Sequence, residues 1–140
     1  MADTCERCRS AKADLAHMFW TCPRLLDYWT AIFKILSEAY VKDIRPSFEM
    51  AVFGVPEQDV VMSKKCQDAC AFACLLARRR ILLDWKSSKP PLVSLWLSDV
   101  MLFLKLEKIK YSLRGSTKRF YLVWTKMISY FEKDATLPPN

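Results

Sequence analysis

Residues 5–36 read CERCRSAKADLAHMFWTCPRLLDYWTAIFKIL, and two patterns meet in them. The first half carries Cys5, Cys8, His17 and Cys22 in a C-x2-C-x8-H-x4-C order; the second carries Leu25, Tyr28, Trp29, Ile32, Phe33 and Leu36 at three- and four-residue spacing. That spacing puts the apolar set on one stripe of a helix reaching to about Tyr40. Pro23 suits its first turn, where a missing N–H is not needed.

Three thiols and one imidazole make a complete set of donors for a tetrahedral zinc ion, and a site closed by four protein ligands is structural in type. Two cysteines two residues apart can hold one metal from a tight turn. His17 and Cys22 lie about one helical turn apart and can approach it from one side. The alternatives are free thiols, a redox C-x-x-C pair and a hydrogen-bonded core histidine. The redox pair needs a thioredoxin-like strand context that does not flank Cys5 and Cys8.

Outward from this stretch the chain reads as all-α: a small N-terminal zinc-binding motif over residues 1–23, a bundle of about four helices packed on it over 24–133, and a disordered tail over 134–140. Pro46 to Asp59 contains Pro46, Gly54 and Pro56 and reads as a connection with one helical turn, with Phe48, Val52, Phe53 and Val55 against the core. A long helix fits Met62 to Lys86, with Cys66, Ala69, Cys70, Ala73, Leu76, Ala77 and Ile81 inward. Pro90 and Pro91 end it. Ser94 is the expected N-cap of a third helix through Trp96, Val100, Phe103 and Leu104. The apolar stretch Leu92 to Leu104 is too short to span a bilayer and reads as core. Gly115 separates it from a last helix carrying Phe120, Tyr121, Trp124, Met127, Ile128 and Phe131.

Composition agrees with that class. The chain has 140 residues, 52% of them apolar, with only two glycines, which suits one helical domain with a core of its own. Its N-terminus carries no apolar signal-peptide region. Cys66, Cys70 and Cys74 sit four residues apart along one helix as small buried hydrophobes. The expected setting is therefore reducing and intracellular, cytoplasm or nucleus, without a membrane.

Lys and Arg total 22 against 15 acids, a net charge of +7. Basic residues gather in three places. Arg7, Arg9, Lys12 and Arg24 surround the metal motif. Arg78, Arg79 and Arg80 form a knot in the second helix. Lys105, Lys108, Lys110, Arg114, Lys118 and Arg119 cluster where the last two helices meet. Each cluster alone reads equally as a solvated helix face; together with a zinc motif they point to a polyanion. Trp20, between two ligands, can stack on an unpaired base or cover the metal site.

The motif Cys5-x2-Cys8-x8-His17-Met18-Phe19-Trp20-Thr21-Cys22-Pro23, followed by Tyr28-Trp29, resembles the C-terminal cysteine-histidine segment of LINE-type non-LTR retrotransposon reverse transcriptases. Val52-Phe53-Gly54, Leu76-Ala77-Arg78 with Ile81, Trp85 and Lys86, Pro90-Pro91 with Trp96, and Lys108 to Leu113 with Phe120 and Trp124 extend the resemblance over about residues 5–132. It implies metal ligation by Cys5, Cys8, His17 and Cys22, RNA as the partner with DNA as a second polyanion, and a reverse transcriptase or ribonucleoprotein as the associated protein. It brings no catalysis, because no Asp-Asp polymerase motif or endonuclease constellation is present.

An independent search for catalytic sets agrees: the one His is committed as a ligand, and two glycines give no phosphate-cradling loop. The expected function is a non-catalytic, zinc-stabilised RNA-binding module carried by Arg7, Arg9, Lys12, Trp20, Arg24, Lys105, Lys108, Lys110, Arg114, Lys118 and Arg119. The alternative is a zinc-stabilised helical module that docks to a polymerase or another protein.

Overall fold

The computed structural model describes residues 4–10 and 12–135. Among these the chain is all-α, with four long helices: α1 over Leu26–Tyr40, α2 over Lys64–Leu83, α3 over Val93–Leu113 and α4 over Thr117–Ala135. Short turns precede them, a π-helical turn at His17–Thr21 and a 3-10 turn at Pro23–Leu25, and a second π-helical turn, Glu49–Phe53, links α1 to α2. An isolated antiparallel bridge between Thr4 and Lys12 is the one β feature among the described residues.

The stripe that announced α1 is the stripe that packs. Leu25, Tyr28, Trp29, Ile32, Phe33 and Leu36 are all buried. On α2 the inward positions Ala69, Cys70, Ala73, Cys74 and Ala77 are fully buried and small, so large side chains reach its backbone. The Trp96 indole N–H donates to Ala73 O at 2.9 Å, and the Tyr28 hydroxyl donates to Ala77 O at 2.9 Å. Each bond satisfies a polar group that burial would otherwise penalise. α4 closes the bundle with Phe120, Trp124, Met127 and Phe131, and the Tyr40 hydroxyl donates to Val123 O at 3.2 Å.

Several expectations need correction. α2 starts at Lys64, with Ser63 as its N-cap accepting the Cys66 N–H at 3.2 Å, and stops at Leu83. α3 starts at Val93 with Leu92 in the cap position, so Ser94 lies inside the helix rather than capping it. In the Glu49–Phe53 turn the buried residues are Met50 and Ala51, while Phe53 and Val55 are exposed. The wider π turn puts Met50 and Ala51 on the inward face in place of the expected Phe53. The turn ends on Gly54 at φ +72°, where a Cβ would stand 3.2 Å from the Ala71 side chain, so this position has both a conformational and a packing reason for glycine. Leu92, Leu95 and Leu102 are exposed, so the stretch 92–104 is only partly core. Tyr121 is also exposed. α4 extends through Ala135, past the expected start of the tail; positions 136–140 lie outside the described residues.

Arg80 and Asp99 join α2 to α3 across a largely dry contact. Arg80 Nε and Nη2 donate to the Asp99 carboxylate at 3.0 and 2.9 Å, and the two side chains are 17% and 11% exposed. Arg79 Nη1 stands 3.7 Å from the same carboxylate, and its guanidinium lies 5.2 Å from the Phe103 ring centroid. Arg78 donates to Ala51 O at 2.5 Å. Of the triple-arginine knot, expected to face a polyanion, Arg78 and Arg80 are thus engaged within the fold and Arg79 is exposed.

Candidate metal centre

The chain enters the site through a tight knuckle. The Arg9 N–H donates to Cys5 O at 2.9 Å, and Arg9 takes a left-handed conformation, φ 57°, which folds the backbone back so that Cys5 and Cys8 face the same point. Hydrogen bonds from the Ser10 backbone and side chain, followed by one from His17, lower the Cys8 thiol to about 6. Cys8 therefore holds thiolate character at neutral pH.

The second half of the donor set sits on a short helical segment. Asp14 starts it: its carboxylate accepts the His17 N–H at 2.8 Å, and its carbonyl accepts the Met18 N–H at 2.9 Å, the role of an N-cap. In an α-helix residues five apart are about 140° out of register. Here the Cys22 N–H donates to His17 O at 3.1 Å, the five-residue bond of a π turn, and this brings Cys22 to the side of His17. The Thr21 hydroxyl lies 3.3 Å from His17 Nδ1 and can accept its proton, leaving Nε2 aimed at Cys8.

The four ligand atoms of Cys5, Cys8, His17 and Cys22 all lie within 4.8 Å of one another, close enough to hold a metal ion. Cys5 Sγ and Cys22 Sγ are 3.8 Å apart, and Cys8 Sγ is 3.3 Å from His17 Nε2. The sulfur pair is far beyond the roughly 2.05 Å of a disulfide. Cys5, His17 and Cys22 are buried and Cys8 is half-buried. Burial raises the Cys22 thiol, although hydrogen bonds from the Arg24 backbone and the Arg7 side chain oppose that shift.

Arg7 is the residue the sequence placed wrongly. It was expected to reach phosphate, yet it is 3% exposed, with Nη2 donating to Met18 O at 2.6 Å. Its Nε is buried with no hydrogen-bond partner among the described residues. A buried guanidinium needs a counter-charge, and three thiolates with one neutral imidazole around a divalent ion supply one net negative charge beside it. The donor set and the unpartnered Nε of this arginine fit the same ion. Arg24 Nε in turn donates to Arg7 O at 3.3 Å. The roles of Asp14, Thr21 and Arg7 were missed, although Asp14 three residues before His17 and Thr21 four after it are readable cap and orienter spacings.

The remaining candidate residues divide by exposure. Arg9, Lys12 and Arg24 are exposed around the centre, with Arg9 in a loose 3.6 Å surface pair with Glu6. Trp20 is half-buried, tilted against Trp29 at 5.6 Å and edge-on to Phe48 at 6.3 Å between ring centroids, so it joins the site to the bundle. The Trp29 indole N–H donates to Phe19 O at 2.8 Å across the same junction. On α3 and α4, Lys105, Lys108, Lys110, Arg114, Lys118 and Arg119 are all exposed and, among the described residues, none is in an ion pair. Lys108 Nζ stands 5.4 Å from the Tyr121 ring centroid. Set against family models, curated proteins and solved structures, the chain matches none.

Proposed function

We propose that the chain is a non-catalytic, zinc-stabilised helical module that binds RNA through its exposed basic face. Zinc is the metal the donors favour: thiolate and imidazole ligands at about 2.3 and 2.0–2.1 Å give tetrahedral edges of about 3.8 Å between sulfurs and about 3.6 Å between sulfur and nitrogen. Two of the six separations, 3.8 and 3.3 Å, lie near those edges, and the whole set, within 4.8 Å, would draw in slightly around the ion. When bound, zinc would cross-link the Cys5–Cys8 knuckle to the His17–Cys22 turn; Thr21 holds the His17 ring and Arg7 balances the charge.

The observation that carries the RNA reading is the set of six exposed cations at the α3–α4 junction with no acid paired to them. Such a cluster repels itself and gains from neutralising phosphates. Arg9, Lys12 and Arg24 extend the basic surface on the metal side, whereas Arg7, being buried, drops out of the binding set. The resemblance to the cysteine-histidine segment of LINE-type reverse transcriptases leads to the same partner.

The test is fluorescence anisotropy of a short single-stranded RNA titrated with zinc-loaded protein at several salt concentrations. Binding should weaken as salt rises, and Lys108→Ala and Arg119→Ala should each reduce the salt slope by about one. An unchanged slope in both variants would remove the α3–α4 junction from the interface. No binding at low salt would end the RNA reading.

A further inference from the structure

α3 is apolar on two faces. Trp96, Val100 and Leu104 are buried in the bundle, while Leu92, Leu95, Leu102, Leu106, Ile109 and Leu113 stand between 40% and 84% exposed. With Asp99 these six recur at alternating spacings of three and four residues, the a/d spacing of a heptad repeat; Asp99 is buried against α2, and beyond it Leu102, Leu106, Ile109 and Leu113 run exposed without interruption. A helix that packs on one side needs one apolar stripe, and a second stripe of this length is the mark of a face meant to be covered. Since α3 has 21 residues, the seam is about 30 Å long.

Each edge of the exposed part of the seam carries one lysine. Lys105 takes the g position and Lys110 the e position, both exposed, and the Arg79 guanidinium over Phe103 adds positive charge on the Lys110 side. Asp99, the acid that interrupts the seam, is already bound by Arg80.

We infer that the outer face of α3 docks one amphipathic helix of another protein, whose own apolar a/d stripe is flanked by Asp or Glu. Charge selects this occupant. A second copy of the chain in parallel pairing would set Lys105 against Lys110 of its neighbour, and antiparallel pairing would set each lysine against its own counterpart, so self-association is opposed at the positions that choose coiled-coil partners. A lipid surface is a poorer match, because the stripe is narrow, is interrupted by Asp99 and lacks the aromatic residues of interfacial helices. The inference goes beyond RNA binding and does not depend on it.

The probe is a synthetic 21-residue peptide, chosen to match the length of α3, with Leu at a and d and Glu at e and g; its own acids keep it monomeric at neutral pH. It is titrated into the whole zinc-loaded chain beside an otherwise identical peptide with Lys at e and g. The acidic peptide should bind saturably, and the basic peptide at least about tenfold more weakly. Leu106→Gln with Ile109→Gln, neutral changes on the exposed face, should abolish acidic-peptide binding while helical circular dichroism and RNA anisotropy stay unchanged. That last readout separates failure of this inference from failure of the RNA reading, and the peptide charge swap stands even if the double variant misfolds. Equal binding of both peptides, binding that survives in a folded double variant, a concentration-dependent dimer of the chain abolished by that variant, or capture of anionic phospholipid vesicles in place of the peptide would each overturn the inference.

Discussion

Residues 4–25 and the four helices that follow solve the same problem by different means. The N-terminal region buries Cys5, Met18, Cys22 and Leu25 as its apolar share, plus the polar Arg7 and His17, and its backbone turns on one left-handed arginine and a π turn. The bundle buries Trp96, Phe33, Phe120, Ile32, Leu36, Ile81 and Met127 along helical stripes. Burial at about 25 cal/mol per Å² can offset the chain entropy of the second region, whereas the first adds only a few side chains to the shared core and, in the function proposed above, relies on its four donors as well. Where a sequence cannot supply core, it supplies ligands.

The comparison predicts where damage spreads. The largest effect should come from Cys22→Ser, which leaves three donors; structural zinc contributes roughly 10–16 kcal/mol of apparent binding energy in small finger peptides, and competition with a chromophoric chelator should show that most of the affinity is gone. Trp96→Ala should cost the bundle about 4 kcal/mol, read from urea unfolding, through a large cavity and the stranded Ala73 carbonyl, with metal affinity unaltered. Asp99→Ala should cost about 2 kcal/mol by leaving Arg80, largely shielded from solvent, without its carboxylate. Replacing both residues, Arg80→Met with Asp99→Leu, should cost less than the single change. The smallest effect is a gain. Val41 ends α1 at φ 50°, a left-handed conformation that a β-branched side chain resists, and it is exposed. Val41→Gly should therefore raise stability by about 1 kcal/mol, seen as a higher Tm.

Much of this was readable before the structure, and the boundary is instructive. Side chains whose job is packing announce themselves by period, so the faces of α1 and α2 were legible residue by residue. The four donors were legible by chemistry and spacing. What period and spacing do not carry is who neutralises whom. Arg7 and Arg80 look like surface cations in the sequence, because the acid at Asp99 is 19 positions from Arg80 and the Arg7 partner is a cluster rather than a carboxylate. The π turns were missed because a five-residue bond leaves no compositional mark. The outer seam of α3 was hidden by its own apolarity: Leu92 to Leu104 reads as core from either side, and only the packing of Trp96 and Val100 assigns which side is in.

The central claim is that metal holds residues 4–25 and burial holds the rest. Hydrogen exchange of the zinc-loaded protein with and without chelator tests it most directly. The account predicts that chelation strips protection from the amides of the Cys5–Cys22 segment while the cores of α1, α2, α3 and α4 keep theirs. Loss of protection throughout the helices, or full protection of Cys5–Cys22 without metal, would contradict it.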